Sequence, residues 1–291
     1  MKIAIASGKG GTGKTCVATS LAFVAAASRR VTYLDCDVEE PNGAILLKPS
    51  FEEARSATVS VPRVEPALCT GCGKCTEVCQ YGAILSLNRR VLVFPHLCHG
   101  CGGCWLVCPN RAIRESAREI GQISFGWAGE IRFVQGLLNL GEAMSPPLIC
   151  QVKAAAPSAG LVIIDSPPGT TCPVIESVRD VDYVILVTEP TPFGLHDLKM
   201  AVDLLRVLGR RFGVVINRAR ETEGLTSRYC EEEGIDILAR IPDDRRVAEA
   251  YSRGELICGV APAYEGLFAA LLARVESQGP SERSLAGVME R

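Results

Sequence analysis

The sequence is poor in aromatic residues, which fill 5 % of its 291 positions, and it holds only 3 histidines. A surface that stacks on successive bases needs many rings, so a base-stacking nucleic-acid binder is not expected. An excess of one charge is missing too: 31 Lys and Arg stand against 33 Asp and Glu, a formal net charge of −2. That excludes capture of nucleic acid by net charge and leaves only local basic patches. Long apolar runs are also absent. The longest, Leu21 to Ala27, falls far short of the ~20 residues needed to cross a bilayer, so no membrane span is expected. A secretory leader is not expected either, because Met1 to Thr15 hold a motif that cleavage would destroy; the expected location is the cytoplasm.

What the sequence does have is cysteine, 14 in all. Structural disulfides are rare in a reducing compartment, so this number asks for a metal or redox explanation. The 47 % hydrophobic content supports a full core, and the length fits one large domain or one that carries a smaller one.

Apolar runs at 2–6, Val31 to Cys36, Leu161 to Ile164, Tyr183 to Val187, Gly213 to Ile216 and Ile237 to Ala239 each end in polar or turn residues. Helical stretches follow several of them, such as Lys14 to Ser28, Gly194 to Leu208 and Asp244 to Arg253. Apolar strands alternating with helices predict a parallel-sheet α/β fold. Between about Ser60 and Ala117 the texture changes, and eight cysteines fall there in an internal repeat. Cys69, Cys72, Cys75, Cys79, Ala83 and Ile84 recur 29 positions later as Cys98, Cys101, Cys104, Cys108, Ala112 and Ile113. The expected organisation is a discontinuous domain, 1–59 and 118–276, interrupted by a small insert at 60–117 and followed by a loose tail at 277–291. Ile120 to Leu140 reads as a hairpin or strands that return the chain to the sheet.

Gly8-Lys9-Gly10-Gly11-Thr12-Gly13-Lys14-Thr15 fits the phosphate-loop pattern and sits between a predicted strand and a predicted helix. Glycines let successive backbone N–H groups turn onto phosphate oxygens, Lys14 brings a positive charge to the β/γ region, and the Thr15 hydroxyl is a ligand type for Mg²⁺. With Lys9 included, the loop resembles the deviant phosphate loop of the MinD/ParA family, which includes the nitrogenase iron protein. The resemblance implies that Lys9 reaches across an ATP-bound homodimer to the partner's nucleotide, so that the monomer is nearly inactive. Asp35-Cys36-Asp37 resembles the family's second acidic motif, which implies that Asp37 orients the attacking water. Leu161 to Gly169 resembles its Walker B segment and implies that Asp165 holds Mg²⁺ through water. Asn217-Arg218 and Ile241-Pro242-Asp243 resemble its adenine-contacting loops.

The repeat, Cys69-x₂-Cys72-x₂-Cys75-x₃-Cys79 and Cys98-x₂-Cys101-x₂-Cys104-x₃-Cys108-Pro109, is similar to the bacterial two-cluster ferredoxin run. That similarity assigns Cys69, Cys72, Cys75 and Cys108 to one [4Fe–4S] cluster and Cys98, Cys101, Cys104 and Cys79 to the other. Gln80 stands where a proline could follow the first run. Zinc on Cys₄ sites is the rival, although the middle cysteine of each triple has no place in a ribbon-type site, and zinc can replace iron in protein handled in air. Cys16, Cys150, Cys230 and Cys258 lack metal spacing and are expected to be buried, as is Cys36. Cys172 follows Asp165 by the spacing that the nitrogenase iron protein uses for an interface cluster cysteine, which makes it a candidate for a shared metal or redox site. His96, His99 and His196 are read as non-ligands.

Together the motifs resemble MinD-superfamily ATPases that contain an inserted ferredoxin domain. That implies ATP hydrolysis in a homodimer whose nucleotide state gates electron flow through two clusters to an unidentified redox or cofactor-assembly partner. An assembly factor or carrier for iron–sulfur or iron–molybdenum cofactors, similar to the Mrp-type carriers, is the alternative. A spatial organiser of the MinD or ParA kind has less to support it, since positioning has no use for eight cluster ligands.

Overall fold

The chain begins with β1 (Lys2–Ala6), α1 (Lys14–Ala26), β2 (Val31–Asp35) and the short α2 (Gly43–Leu47). Next come β3 (Ser50–Val64), α3 (Lys74–Val78), the β4–β5 hairpin (Ile84–Leu87 and Arg90–Val93) and α4 (Gly103–Leu106). β6 (Ile113–Ala128) and β7 (Ile131–Leu138) are joined through Gly129 and Glu130, and α5 (Pro146–Ala154) follows. The rest alternates: β8 (Leu161–Asp165), α6 (Cys172–Val178), β9 (Tyr183–Thr188), α7 (Pro192–Val207), β10 (Phe212–Ala219), α8 (Leu225–Glu232), β11 (Ile237–Pro242), α9 (Arg245–Ser252) and α10 (Pro262–Ser277). This computed structural model describes residues 1–220 and 224–279. Of the expected tail, everything beyond Gly279 lies outside the described residues.

The main sheet has the order β11-β10-β9-β1-β8-β2-β7-β6-β3, and every pair from β11 to β7 is parallel. Every residue of β2, β8 and β9 is buried, which marks strands covered on both faces. On one face α1 and α10 pack side by side: Val17, Leu21, Phe268 and Leu271 join Ile3, Ile163 and Ile185 in a single core. Each such fully buried side chain contributes about 1.5–3 kcal/mol relative to its exposed state. Ala18, Ala22 and Ala25 keep α1 thin, so its backbone comes close to the sheet. At the other end of the core, Phe133 stacks on Tyr33 with centroids 5.2 Å apart and meets Phe51 edge-on at 5.8 Å.

Two units divide the chain. The larger takes Met1–Ala54, Ile123–Leu137 and the chain from Ile149 on; the smaller takes Arg55–Gln122 and Leu138–Leu148. The smaller unit is thus wider than the expected 60–117 insert and gains the segment before α5. Its interior is built from Cys75, Ile84, Cys104 and Ile113, with Val64, Val78, Val91 and Val93 packed against them. No helix among the described residues is long and apolar enough to cross a membrane.

The expectation that Cys150 is buried is corrected. It is exposed, because α5 turns Leu148, Ile149 and Val152 into the core and position 150 points away from that stripe.

Candidate functional site

In the larger unit the loop between β1 and α1 lies at the carboxyl end of the sheet, where parallel α/β folds bind ligands. α1 opens without a side-chain cap: Gly13, at φ 92°, occupies the cap position, and no acid lies in the first turn. Its first N–H groups therefore face outward with a partial positive charge, the arrangement that receives an anion. Gly13 is required by space as well as by φ. A Cβ there would sit 2.3 Å from Asn217 Nδ2, which donates to the Thr12 carbonyl at 2.8 Å. At Gly8 a Cβ would meet the Asp197 carbonyl oxygen at 2.2 Å, so α7 closes tightly on the start of the loop.

A cleft of about 390 Å³ opens over this loop, within the range of small-ligand pockets. Gly10, Gly11, Gly13, Lys14 and Thr15 of the loop line it, together with Asp37, Asn217, Arg218, Pro242 and Asp243. Gly8, Lys9, Thr12 and Asp165 do not line it. Lys9 turns instead toward Glu189, with Nζ 3.5 Å from Oε2, and the same carboxylate takes Arg218 Nη1 at 2.6 Å on Oε1.

Beneath the cleft stand two buried acids, Asp35 and Asp165, with the half-buried Asp37 in the cleft lining beside them. Asp35 accepts from the Gly43 N–H at 2.9 Å and the Asp37 N–H at 3.3 Å, and Tyr33 Oη donates to Asp165 Oδ2 at 2.9 Å. Burial pushes all three carboxyls up. Asp37 rises to about 7, with the Lys14 charge opposing the rise. Asp35 is raised by burial and then by the Asp165 charge, and Asp165 by burial against the pull of Lys14. Among the described residues Asp165 Oδ1, Thr12 Oγ1 and Ser166 Oγ are buried with no hydrogen-bond partner. Orphaned oxygens below a phosphate-type loop, beside Lys14 and Thr15, suit a hard cation and phosphate oxygens.

In the smaller unit the sequence repeat is also a backbone repeat. Gly71 and Gly100 have φ 71° and 66°, Gly73 and Gly102 have 81° and 80°, and Gly82 and Arg111 have 63° and 50°. Gly73 and Gly102 cap the two short helices α3 and α4 in the same left-handed conformation. Four thiols line each of two small cavities: Cys69, Cys72, Cys75 and Cys108 in one, Cys79, Cys98, Cys101 and Cys104 in the other. The thiols surround the cavities rather than converging, since among the described residues no three Cys, His or acidic side chains meet at one ion-sized point. Backbone N–H groups approach the sulfurs, Gly100 to Cys98 at 3.4 Å and Ala112 to Cys108 at 3.3 Å. A donor set of four thiols with amide donors to sulfur is the kind that holds an iron–sulfur cluster.

Residues 3–257 match the CobQ/CobB/MinD/ParA nucleotide binding domain. The chain belongs to that family. Among curated relatives, an uncharacterised protein of Methanocaldococcus jannaschii is 30 % identical over 261 residues, covering 88 % of this chain and 90 % of the relative. An iron-sulfur cluster carrier protein of Pyrococcus abyssi is 26 % identical, covering 87 % of this chain and 77 % of its own length. Among solved structures, the septum site-determining protein MinD of Pyrococcus horikoshii with Mg-ADP superposes at a TM-score of 0.61 and 18 % identity, covering 95 % and 96 % of the two chains. The chain has a parallel-dominated α/β P-loop fold like that of MinD.

Several residues around the family's cleft carry no motif. Val247 and Tyr251 of α9 line it, Tyr33 orients Asp165 from below, and Glu189 gathers Lys9 and Arg218. The one hint in the sequence was that Glu189 follows an apolar strand at its carboxyl end. Cys172 is exposed at the first turn of α6.

Proposed function

We propose that the protein is an ATP-hydrolysing iron–sulfur protein that works as a nucleotide-driven homodimer. The reading rests on two kinds of site in one chain: the phosphate-type cleft over one orphaned carboxylate oxygen and two orphaned hydroxyls, and two four-thiol cavities. In the cleft the N–H groups of Gly10 to Thr15 and the Lys14 ammonium hold the β- and γ-phosphates. Gly8 fixes where the loop starts. Thr15 and Asp165 hold Mg²⁺, Asp165 through water. Asp37 orients the water that attacks the γ-phosphorus as the bond to the bridging oxygen breaks and ADP leaves. Asn217, Arg218, Pro242 and Asp243 flank the adenine, and Lys9 acts on the partner's nucleotide once the dimer closes.

The cysteine unit holds two [4Fe–4S] clusters, which supply one-electron transfer when bound. Each seat draws three thiols from one run and the fourth from the other. Taking one cluster out therefore disturbs the seat of its neighbour, which favours resident clusters that pass electrons to a partner over clusters given away. A carrier or assembly role is the second reading, favoured by relatives named iron-sulfur cluster carrier protein. Zinc is the rival occupant of the thiols and can replace iron in protein prepared in air. Cys172 is kept as a candidate contact between protomers.

The test is anaerobic purification with iron and acid-labile sulfide analysis, followed by ATP addition in the presence of an apo-acceptor. Clusters that stay and cycle between oxidation states support electron transfer, and clusters that move to the acceptor support the carrier. A colourless zinc protein would sink the cluster reading. Lys14→Ala removes nucleotide binding; Lys9→Ala keeps binding but loses turnover. A turnover rate per protomer independent of protein concentration would count against the dimer.

A further inference from the structure

The repeat in the smaller unit is furnished unevenly. The 29-residue offset that superposes the cysteines also sets Thr70 against His99, Thr76 against Trp105, and Tyr81 against Asn110. In each pair the aromatic member lines the cavity of Cys79, Cys98, Cys101 and Cys104. There the Tyr81 and His99 rings lie face to face, centroids 3.6 Å apart and 9° from parallel. Trp105 closes over Gly102, its ring atoms 3.1 to 3.2 Å from where a Cβ would stand.

The other cavity has no ring. Thr70 and Asn110 line it at the matching positions, and the Asn110 amide donates to the Leu68 carbonyl at 3.1 Å. Lys74 brings a positive charge to its wall, and its repeat mate, Gly103, brings none. Water and cations stabilise the more negative, reduced form of a cluster and raise its potential, whereas a ring cover excludes water and lowers it.

We propose that Tyr81 and His99 are a stacked aromatic lid over one of the two cavities, which makes the two clusters unequal. The cluster on Cys79, Cys98, Cys101 and Cys104 has the lower potential and loses iron slowly. The cluster on Cys69, Cys72, Cys75 and Cys108, with no aromatic cover and with Lys74 on its wall, has the higher potential and is the exit for electrons. This rests on the iron–sulfur reading above and adds a direction to it.

The experiment uses the full chain purified anaerobically, with iron release to a chelator followed by absorbance and a reductive titration followed by electron paramagnetic resonance. Iron should leave in two phases of equal size, and the clusters should reduce at two separate potentials. Tyr81→Asn, which places the repeat's own residue at that site, should speed the slow phase roughly two- to tenfold, the range that loss of one stacked ring pair implies. It should also raise the lower potential and leave the fast phase unchanged. Tyr81→Phe keeps the stack and should behave as wild type. Asn110→Tyr combined with Thr70→His should slow the fast phase. Iron that leaves the wild type in a single phase, or a slow phase indifferent to Tyr81→Asn, overturns the lid while the clusters stand. Protein that holds no iron or sulfide overturns the cluster reading, and the lid with it.

Discussion

Asp35 and Asp165 stand in register on neighbouring parallel strands, both without solvent exposure. Two carboxyls so placed cannot both carry charge cheaply, and Asp37 adds a third nearby with a value of about 7. A Mg²⁺ ion held at Asp165 and Thr15 would place positive charge beside them and draw the protons off, although the nucleotide it accompanies is an anion. We therefore expect binding at neutral pH to release protons, read as a buffer-dependent heat in titration calorimetry. Heats identical across buffers of different ionisation enthalpy would contradict it.

The same acids set a pH dependence for the nucleotide-free protein. A carboxyl whose folded value lies above its unfolded one holds its proton more tightly when folded. Its stabilising contribution is full below the unfolded value and fades as pH rises through the folded value. For Asp37 that window runs from the ordinary carboxyl value of 3.8 up to about 7. The Tm should fall across it, and Asp37→Asn should flatten the fall; an unchanged slope in the variant would show that another group is responsible.

Gly13→Ala tests the loop's geometry. Left-handed φ costs an L-residue roughly 1–2 kcal/mol, and the new methyl would displace Asn217 from the Thr12 carbonyl. Asn217→Ala loses that hydrogen bond and the one its Oδ1 accepts from the Arg218 N–H at 2.9 Å, about 1 kcal/mol each, without straining the loop backbone. Urea denaturation should rank Gly13→Ala as the more damaging of the two.

Glu189 holds Lys9 and Arg218 while only 8 % exposed. Glu189→Gln removes a negative charge beside the phosphate loop, and ATP should bind roughly fivefold more tightly, an effect of about 1 kcal/mol at an intermediate dielectric. Raising the salt should shrink the difference. Weaker binding in the variant would mean that the pairing serves the cleft's shape rather than its charge.

Thiol labelling separates the six cysteines outside the repeat. Burial pushes Cys16 to about 12 and Cys230 and Cys258 to about 11, and Cys36 is also raised by burial. Cys150 and Cys172 are exposed. Mass spectrometry after native alkylation should find the label on Cys150 and Cys172, with Cys16, Cys36, Cys230 and Cys258 protected until denaturant is added.

The parallel strands were legible because each is an apolar run that ends in polar residues, and these ends are where a parallel sheet gathers its ligands. Asp37, Asn217 and Asp243 reached the cleft that way. β3 was not legible: Ser50 to Ser56 is exposed and mostly polar, with Phe51 and Ala54 its only apolar residues, and Pro62 interrupts the strand. A strand at the end of the sheet tolerates both, since one side needs neither a ladder donor nor a core face. Glu189 escaped for another reason. Its two partners, Lys9 and Arg218, come from distant parts of the chain, and no local pattern records such a meeting. The exposure of Cys150 depends on how α5 is rotated, which a residue's type does not specify.

The central position of β1 sets an order of events during synthesis. Lys2 pairs with Val162 and Ile3 with Tyr183, so β1 has neither of its neighbours until β8 and β9 have followed it from the ribosome. The contacts between β4 and β5 and around Cys75 and Cys104 are local by comparison, and loop closure over short separations is fast. The cysteine unit therefore emerges and can close while the phosphate loop is still unsupported. A nascent chain stalled before β8 should already offer its thiols to an iron–sulfur donor, and would as yet have no place for ATP.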